Sequence, residues 1–104
     1  MPQTIKQRRL ELNRRLKEIC NNVYFQPPET VRMSYPAIRY KLYDIDLFHA
    51  DDDIYMKNLY FQLIVIDKDP DSAVAEALSN FRGIRFDRSY ASDNLNHFVY
   101  ELYI

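Results

Sequence analysis

Three aspartates, Asp67, Asp69 and Asp71, stand at every second position in the run IVIDKDPDSAVAEAL, between Ile64 and Leu78. Oxygen ligands at this spacing are what a calcium loop uses, but such a loop also needs glycine at its sixth position and a bidentate glutamate at its twelfth. Counted from Asp67, those positions hold Ser72 and Leu78, and the calcium reading fails. The same residues suit a strand-to-helix turn. Pro70 stiffens it, and Asp71 or Ser72 accepts hydrogen bonds from the first free amides of the helix that follows. Negative charge beside a helix N-terminus adds about 0.3–1 kcal/mol. A second acidic cluster, HADDD from His49 to Asp53, brings carboxylates and one imidazole together, the donor types of a divalent-cation site. Adjacent loop residues seldom converge on one ion, so a solvated acidic loop is expected there. His97 with Asp93, and Cys20 elsewhere, raise a nucleophile-and-base arrangement. Neither a second histidine nor an activated serine turn accompanies them, and His97 reads as a packed or edge residue of a strand. The expectation is a protein that is not an enzyme, with no catalytic residue, no metal site and no cofactor.

The remaining chemistry is electrostatic. Lys6, Arg8, Arg9, Arg14, Arg15 and Lys17 could track phosphates, but on a helix they spread around most of the circumference. A solvated face is the simpler reading, and contact with DNA or an acidic partner is the alternative. The net charge of −1 hides a polarity: residues 1–41 carry a balance of +6 and residues 42–104 one of −7. That asymmetry suits either a nucleic-acid arm or a subunit whose positive side meets the negative side of a neighbour.

The 104 residues predict one domain, 1–104, able to bury a single core. Nine tyrosines and six phenylalanines without tryptophan need a core or an interface to cover them. The single glycine excludes a glycine-rich phosphate loop. The lone Cys20 excludes an intramolecular disulfide. The longest aliphatic run, Leu63 to Ile66, falls far short of the roughly 20 residues of a membrane helix. The opening MPQTIKQRRLELNRR has no apolar signal core, which predicts a soluble protein made in the cytoplasm.

Several elements are predicted to carry these residues. Thr4 and Gln7 form a capping-box pattern at the start of helix one. Ile5, Leu12, Leu16, Ile19 and Val23 then recur in one narrow stripe, and Pro27 and Pro28 close the segment. Leu10 lies nearly opposite the stripe, as either a scattered surface leucine or a subunit contact. A strand follows from Ile38 to Leu47, and its apolar parity switches near Leu42, predicting a bulge or two ends that face different neighbours. FHADDD reads as a hairpin loop. A second strand, Tyr55 to Ile66, places Leu59, Phe61, Leu63 and Val65 on one face and reads as central. Helix two begins after Asp71 or Ser72 and runs to about Phe81, with Val74, Ala77, Leu78 and Phe81 inward and Gly83 just beyond as a left-handed cap. Ile84, Phe86 and Arg88 make a third strand, SYASDN a loop, and Leu95 to Ile104 a fourth. The prediction is an α+β fold in the order α-β-β-α-β-β, a mainly antiparallel four-stranded sheet packed with two helices.

Two long segments, YPAIRYKLYDIDLFHADDDIYMKNLYFQLIVIDKDPDS and FDRSYASDNLNHFVYELYI, resemble the small tail-completion proteins of long-tailed bacteriophages, the tail-terminator and tail-to-head joining families. The likeness extends over almost the whole chain, from the leading amphipathic helix through IDKDPDS to the closing DNLNH strand. It implies a structural virion protein made in the host cytoplasm. This protein caps the end of the tail tube and forms the tail side of the head–tail junction, as an oligomeric ring that is commonly hexameric. Its partners would be copies of itself, the tail-tube protein and the head–neck connector protein, with DNA only passing through the lumen and no membrane contact. Residues expected at the ring or tube interface are Leu10, Arg14, Tyr43, Asp51, Asp52, Asp53 and Tyr55, with Asp51–Asp53 lining the lumen or meeting a neighbouring ring. A small nucleic-acid-binding module and another neck or connector component stay open as alternatives.

Overall fold

A computed structural model describes residues 3–50 and 53–104. Helix α1 spans Ile5–Ile19, and strands β1 (Val23–Phe25), β2 (Ala37–Ala50) and β3 (Asp53–Asp67) follow. Helix α2 (Ala73–Leu78) leads to β4 (Ile84–Ser92) and β5 (Leu95–Tyr103). The fold is α+β, as predicted, but the sheet has five strands in the order β1-β2-β3-β5-β4. The additional strand is β1, which runs parallel to β2; the other pairings are antiparallel.

Helix α1 starts at the predicted box. Gln7 donates its amide to the Thr4 hydroxyl, and the Thr4 amide donates to the Gln7 side chain at 2.8 Å. Leu12 and Leu16 are buried against Tyr40, Leu59, Phe61 and Leu63, with Ile5 and Ile19 packed at the margins. The helix ends at Ile19, well before the prolines, because Cys20 turns extended while its amide still closes on the Leu16 carbonyl. Val23, Tyr24 and Phe25 then pair with Ile38, Arg39 and Tyr40. Val23 therefore meets the core from a strand, which suits a β-branched residue followed by two aromatics.

The sheet has an inner face, under the helices, and an outer face. Leu59, Phe61, Leu63 and Val65 of β3 point inward and are fully buried. Beside them lie Ile38 and Tyr40 of β2 and Tyr100 and Leu102 of β5. Tyr40 ties helix to sheet: its ring lies 5.0 Å from Phe25 and 6.0 Å from Phe61, and its hydroxyl donates to Asn13 Oδ1 at 2.7 Å. β3 is central, as predicted. The predicted parity switch is a register shift between Leu42 and Asp44, with Tyr43 as the extra residue.

Three predicted boundaries are corrected. FHADDD is not all loop, since β2 continues to Ala50 and β3 begins at Asp53. SYASDN is mostly strand. β4 runs to Ser92, and Asp93 and Asn94, at φ 54° and 63°, make a two-residue turn into β5. That is the left-handed pair a tight hairpin requires, in residues that tolerate it. Helix α2 stops at Leu78 with Ala75, not Ala77, among its buried residues, and Gly83 caps nothing. It stands at φ 82° where β4 begins, and a Cβ there would lie 2.4 Å from the Tyr103 carbonyl oxygen. Close approach to the end of β5 demands the glycine.

Candidate functional site

The aspartate run is a junction, as its spacing suggested. The Asp67 carboxylate accepts the Asp69 amide at 3.0 Å and the Asp69 carboxylate accepts the Asp71 amide at 2.9 Å. The Ser72 hydroxyl then accepts the Ala75 amide at 3.2 Å as the cap of α2. These are successive side-chain-to-backbone turns that hand strand to helix. His97 stands on the outer face, stacked on Tyr90 at 4.6 Å, with Nδ1 3.2 Å from the Leu95 carbonyl oxygen. Cys20 is buried in the core on the other side of the sheet, its Sγ 3.4 Å from the Pro36 carbonyl oxygen, and burial pushes its thiol pKa up. The fold keeps this histidine and cysteine apart. No group of three or more His, Cys, Asp or Glu poised to hold a metal occurs among the described residues.

The basic residues of α1 are largely engaged. Arg8 donates to the Lys57 carbonyl at 2.8 Å; Arg9 lies over the Phe25 ring at 4.4 Å and Arg15 over the Phe81 ring at 4.7 Å. Arg14 bridges Glu11 and Glu18. These cations lock the helix to the sheet and to its own surface, and they do not form a stripe for phosphates.

What stands out is the far end of the β2–β3 hairpin. Pairing with β5 ends at Tyr60–Tyr103, and Leu59 closes the sheet by exchanging hydrogen bonds with Ile104 at 2.7 and 3.0 Å. Beyond that point, among the described residues, β2 and β3 continue alone, from Asp46–Asn58 to Ala50–Asp53, with Asp44–Tyr60 and Ile45–Leu59 at the root. At a rise of about 3.3 Å per residue this two-stranded arm is roughly 15 Å long. Exposed apolar side chains concentrate on its β2 strand and at its root: Tyr43 is 45% exposed, Leu47 47% and Phe48 42%, with Ile45 at 36%. Four large apolar groups thus stand exposed on one ribbon, Ile45 and Leu47 on one face and Phe48 on the other, and exposed apolar surface of this kind is a candidate contact surface.

At the root of the arm, three tyrosines cross the outer face in a row. Tyr43 and Tyr60 lie 6.0 Å apart and Tyr60 and Tyr103 5.0 Å apart. The Tyr60 hydroxyl donates to Asp46 Oδ2 at 2.8 Å, and this bond, with the carboxylate charge, pushes the phenol up to about 12. Partial burial, then the nearby Glu101 and Asp44, raise Tyr43.

Of the residues expected at an interface, Tyr43 lies at the arm's root, and Asp53 and Tyr55 belong to the β3 side of the arm. Asp51 and Asp52 lie outside the described residues. Leu10, 48% exposed, and Arg14 lie one turn apart on α1 and belong to a different surface. Ile45, Leu47 and Phe48 were missed as surface residues. Their signal was present in the parity switch, which puts apolar side chains on both faces of a strand that has no second covering element. No protein-family model matches this chain, and no curated protein matches it significantly.

Proposed function

We propose that this protein is a structural subunit that assembles head to tail into a ring, acting as a tail-completion protein of a long-tailed phage. In this role it caps the tail tube at its head-proximal end and presents the tail side of the head–tail junction. The observation that carries the assembly is the two-stranded arm with Tyr43, Ile45, Leu47 and Phe48 uncovered. The phage setting rests on the resemblance of the YPAIRYKLYDIDLF and DNLNH segments, and with it come the hexameric ring, the tail-tube and connector partners, and DNA in passage only. The commitment of Arg8, Arg9, Arg14 and Arg15 to contacts within the chain argues against α1 as a nucleic-acid reader.

Native mass spectrometry of the full chain across a concentration series, with and without duplex DNA, tests the proposal. The expected result is a discrete closed oligomer whose population is indifferent to DNA. A strict monomer that binds DNA with a steep salt dependence would overturn it.

A further inference from the structure

We propose that the arm of one copy docks on the outer sheet face of the next copy, over Arg39, Lys41 and Arg85. This inference rests on the assembly reading above and names the surface that receives the arm.

Register places the three cations. Arg39 pairs across β2–β3 with Ile64, which pairs in turn with Val99. Lys41 pairs with Gln62, then Glu101, then Arg85 of β4. The cations therefore stand at either side of a floor made by the two central strands, all on the face away from the helices. Gln26 and Pro27 border the same face and enclose, with Arg39, Lys41, Gln62 and Ile64, an open groove of about 270 Å³. Glu101 is the acid within this patch, which stays net positive. Farther along the same face, toward the arm, stand Asp44 and Asp46.

Charge complementarity selects the occupant. The ion pairs among the described residues are Arg14 with Glu11, Arg14 with Glu18, and Arg88 with Asp87. None of them takes up Arg39, Lys41 or Arg85, and none takes up Asp44 or Asp46. One copy thus presents net positive charge on the body of its sheet and the carboxylates Asp44 and Asp46, with no cation within salt-bridge distance among the described residues, at the root of its arm. A two-fold contact through either patch alone would set like charges together. A head-to-tail contact sets the acidic arm against the basic face, repeats without using up its surfaces, and closes when the rotation permits. Phe48, which shares the face of the ribbon that carries Asp44 and Asp46, then leaves water together with Ile64, while Ile45 and Leu47 point to the opposite face.

Reversing charges in the full-length chain tests this. The face variant is R39E with K41E, and the arm variant is D44K with D46K; thermal melts and circular dichroism establish that each is folded. Each variant alone is expected to weaken self-association by roughly a hundredfold or more, since like-charge juxtaposition costs several kcal/mol. The chain carrying all four changes is expected to regain it, because the altered arm again meets an opposite face. Wild-type association should also fall as salt rises. Either folded variant associating as the wild type does, or a folded four-fold variant that stays apart, would overturn the inference while leaving the assembly reading in place. So would loss of DNA binding in the face variant with its association intact, which would give the face to nucleic acid. A wild-type chain that never associates would overturn the assembly reading itself.

Discussion

Replacing Gly83, the chain's one glycine, by alanine perturbs a single close approach whose size follows from the structure. The residue sits at φ 82°, where a side chain costs about 1–2 kcal/mol. The new Cβ would also lie 2.4 Å from the Tyr103 carbonyl oxygen. That atom is backbone and cannot rotate aside, so β4 and β5 must shift where the Tyr103 amide donates to the Gly83 carbonyl at 3.1 Å. Overpacking of this kind costs about 1–3 kcal/mol, which gives a total of about 2–5 kcal/mol. For a domain of this size each kcal/mol moves the melting temperature by about 4–8 °C, so Gly83→Ala should melt at least about 8 °C below the wild type by calorimetry or circular dichroism. Gly83→Asn separates the two terms, since asparagine tolerates the left-handed region but carries the same Cβ. If the carbonyl contact dominates, asparagine restores little of the loss. A Gly83→Ala protein that melts within about 2 °C of the wild type would refute the packing of Gly83 against β5.

Three further outcomes follow from side-chain environments. The Asn58 Nδ2 is buried without a hydrogen-bond partner among the described residues, and removing such an orphan donor returns about 1–3 kcal/mol; Asn58→Leu should therefore raise the urea midpoint, and a lowered midpoint would contradict the assignment. Tyr60, with a folded-state pKa of about 12 against an ordinary 10, favours the folded state fully below pH 10 and loses that contribution as pH rises through about 12. Near-ultraviolet titration of tyrosinate should show one tyrosine moving back toward 10 in Asp46→Asn, and superimposable curves would exclude the bond. Cys20, buried with its thiol pKa pushed up, should react with an aromatic disulfide reagent far more slowly in the native protein than in urea; prompt stoichiometric labelling of native protein would show the core to be open there.

The features legible in the sequence are those decided by neighbours in the chain. The Thr4–Gln7 box, the Ser72 cap and the alternation of Leu59, Phe61, Leu63 and Val65 each depend on residues a few positions apart. The parity break at Leu42 gave the bulge for the same reason. Strand β1 escaped notice because three residues have no periodicity of their own; Val23–Phe25 form a strand only through pairing with Ile38–Tyr40. The requirement on Gly83 is set by the end of β5, twenty residues on, so a plausible helix cap stood in for the true reason. The Asp93–Asn94 turn was hidden in a polar run whose flanks are exposed edge-strand positions that lack apolar alternation. At the candidate site, the sequence singled out Tyr43, which the structure leaves 45% exposed at the root of the arm. The exposure of Ile45, Leu47 and Phe48 depends on where β5 ends, a relation between distant segments.

β2 and β3 are continuous strands, with register shifts at Leu42/Asp44 and Phe48/His49, from the core, where Ala37 pairs with Ile66, to the arm, where Ala50 pairs with Asp53. The arm is therefore the protruding end of a ladder whose greater part is held by the buried side chains of the domain. A disordered segment that folds on its partner spends part of the interaction energy on its own ordering. A ribbon clamped at its root has met much of that entropic cost during folding of the domain. In the assembly proposed above, contacts made by a few side chains would then go further toward affinity, and a short arm would suffice to join one subunit to the next.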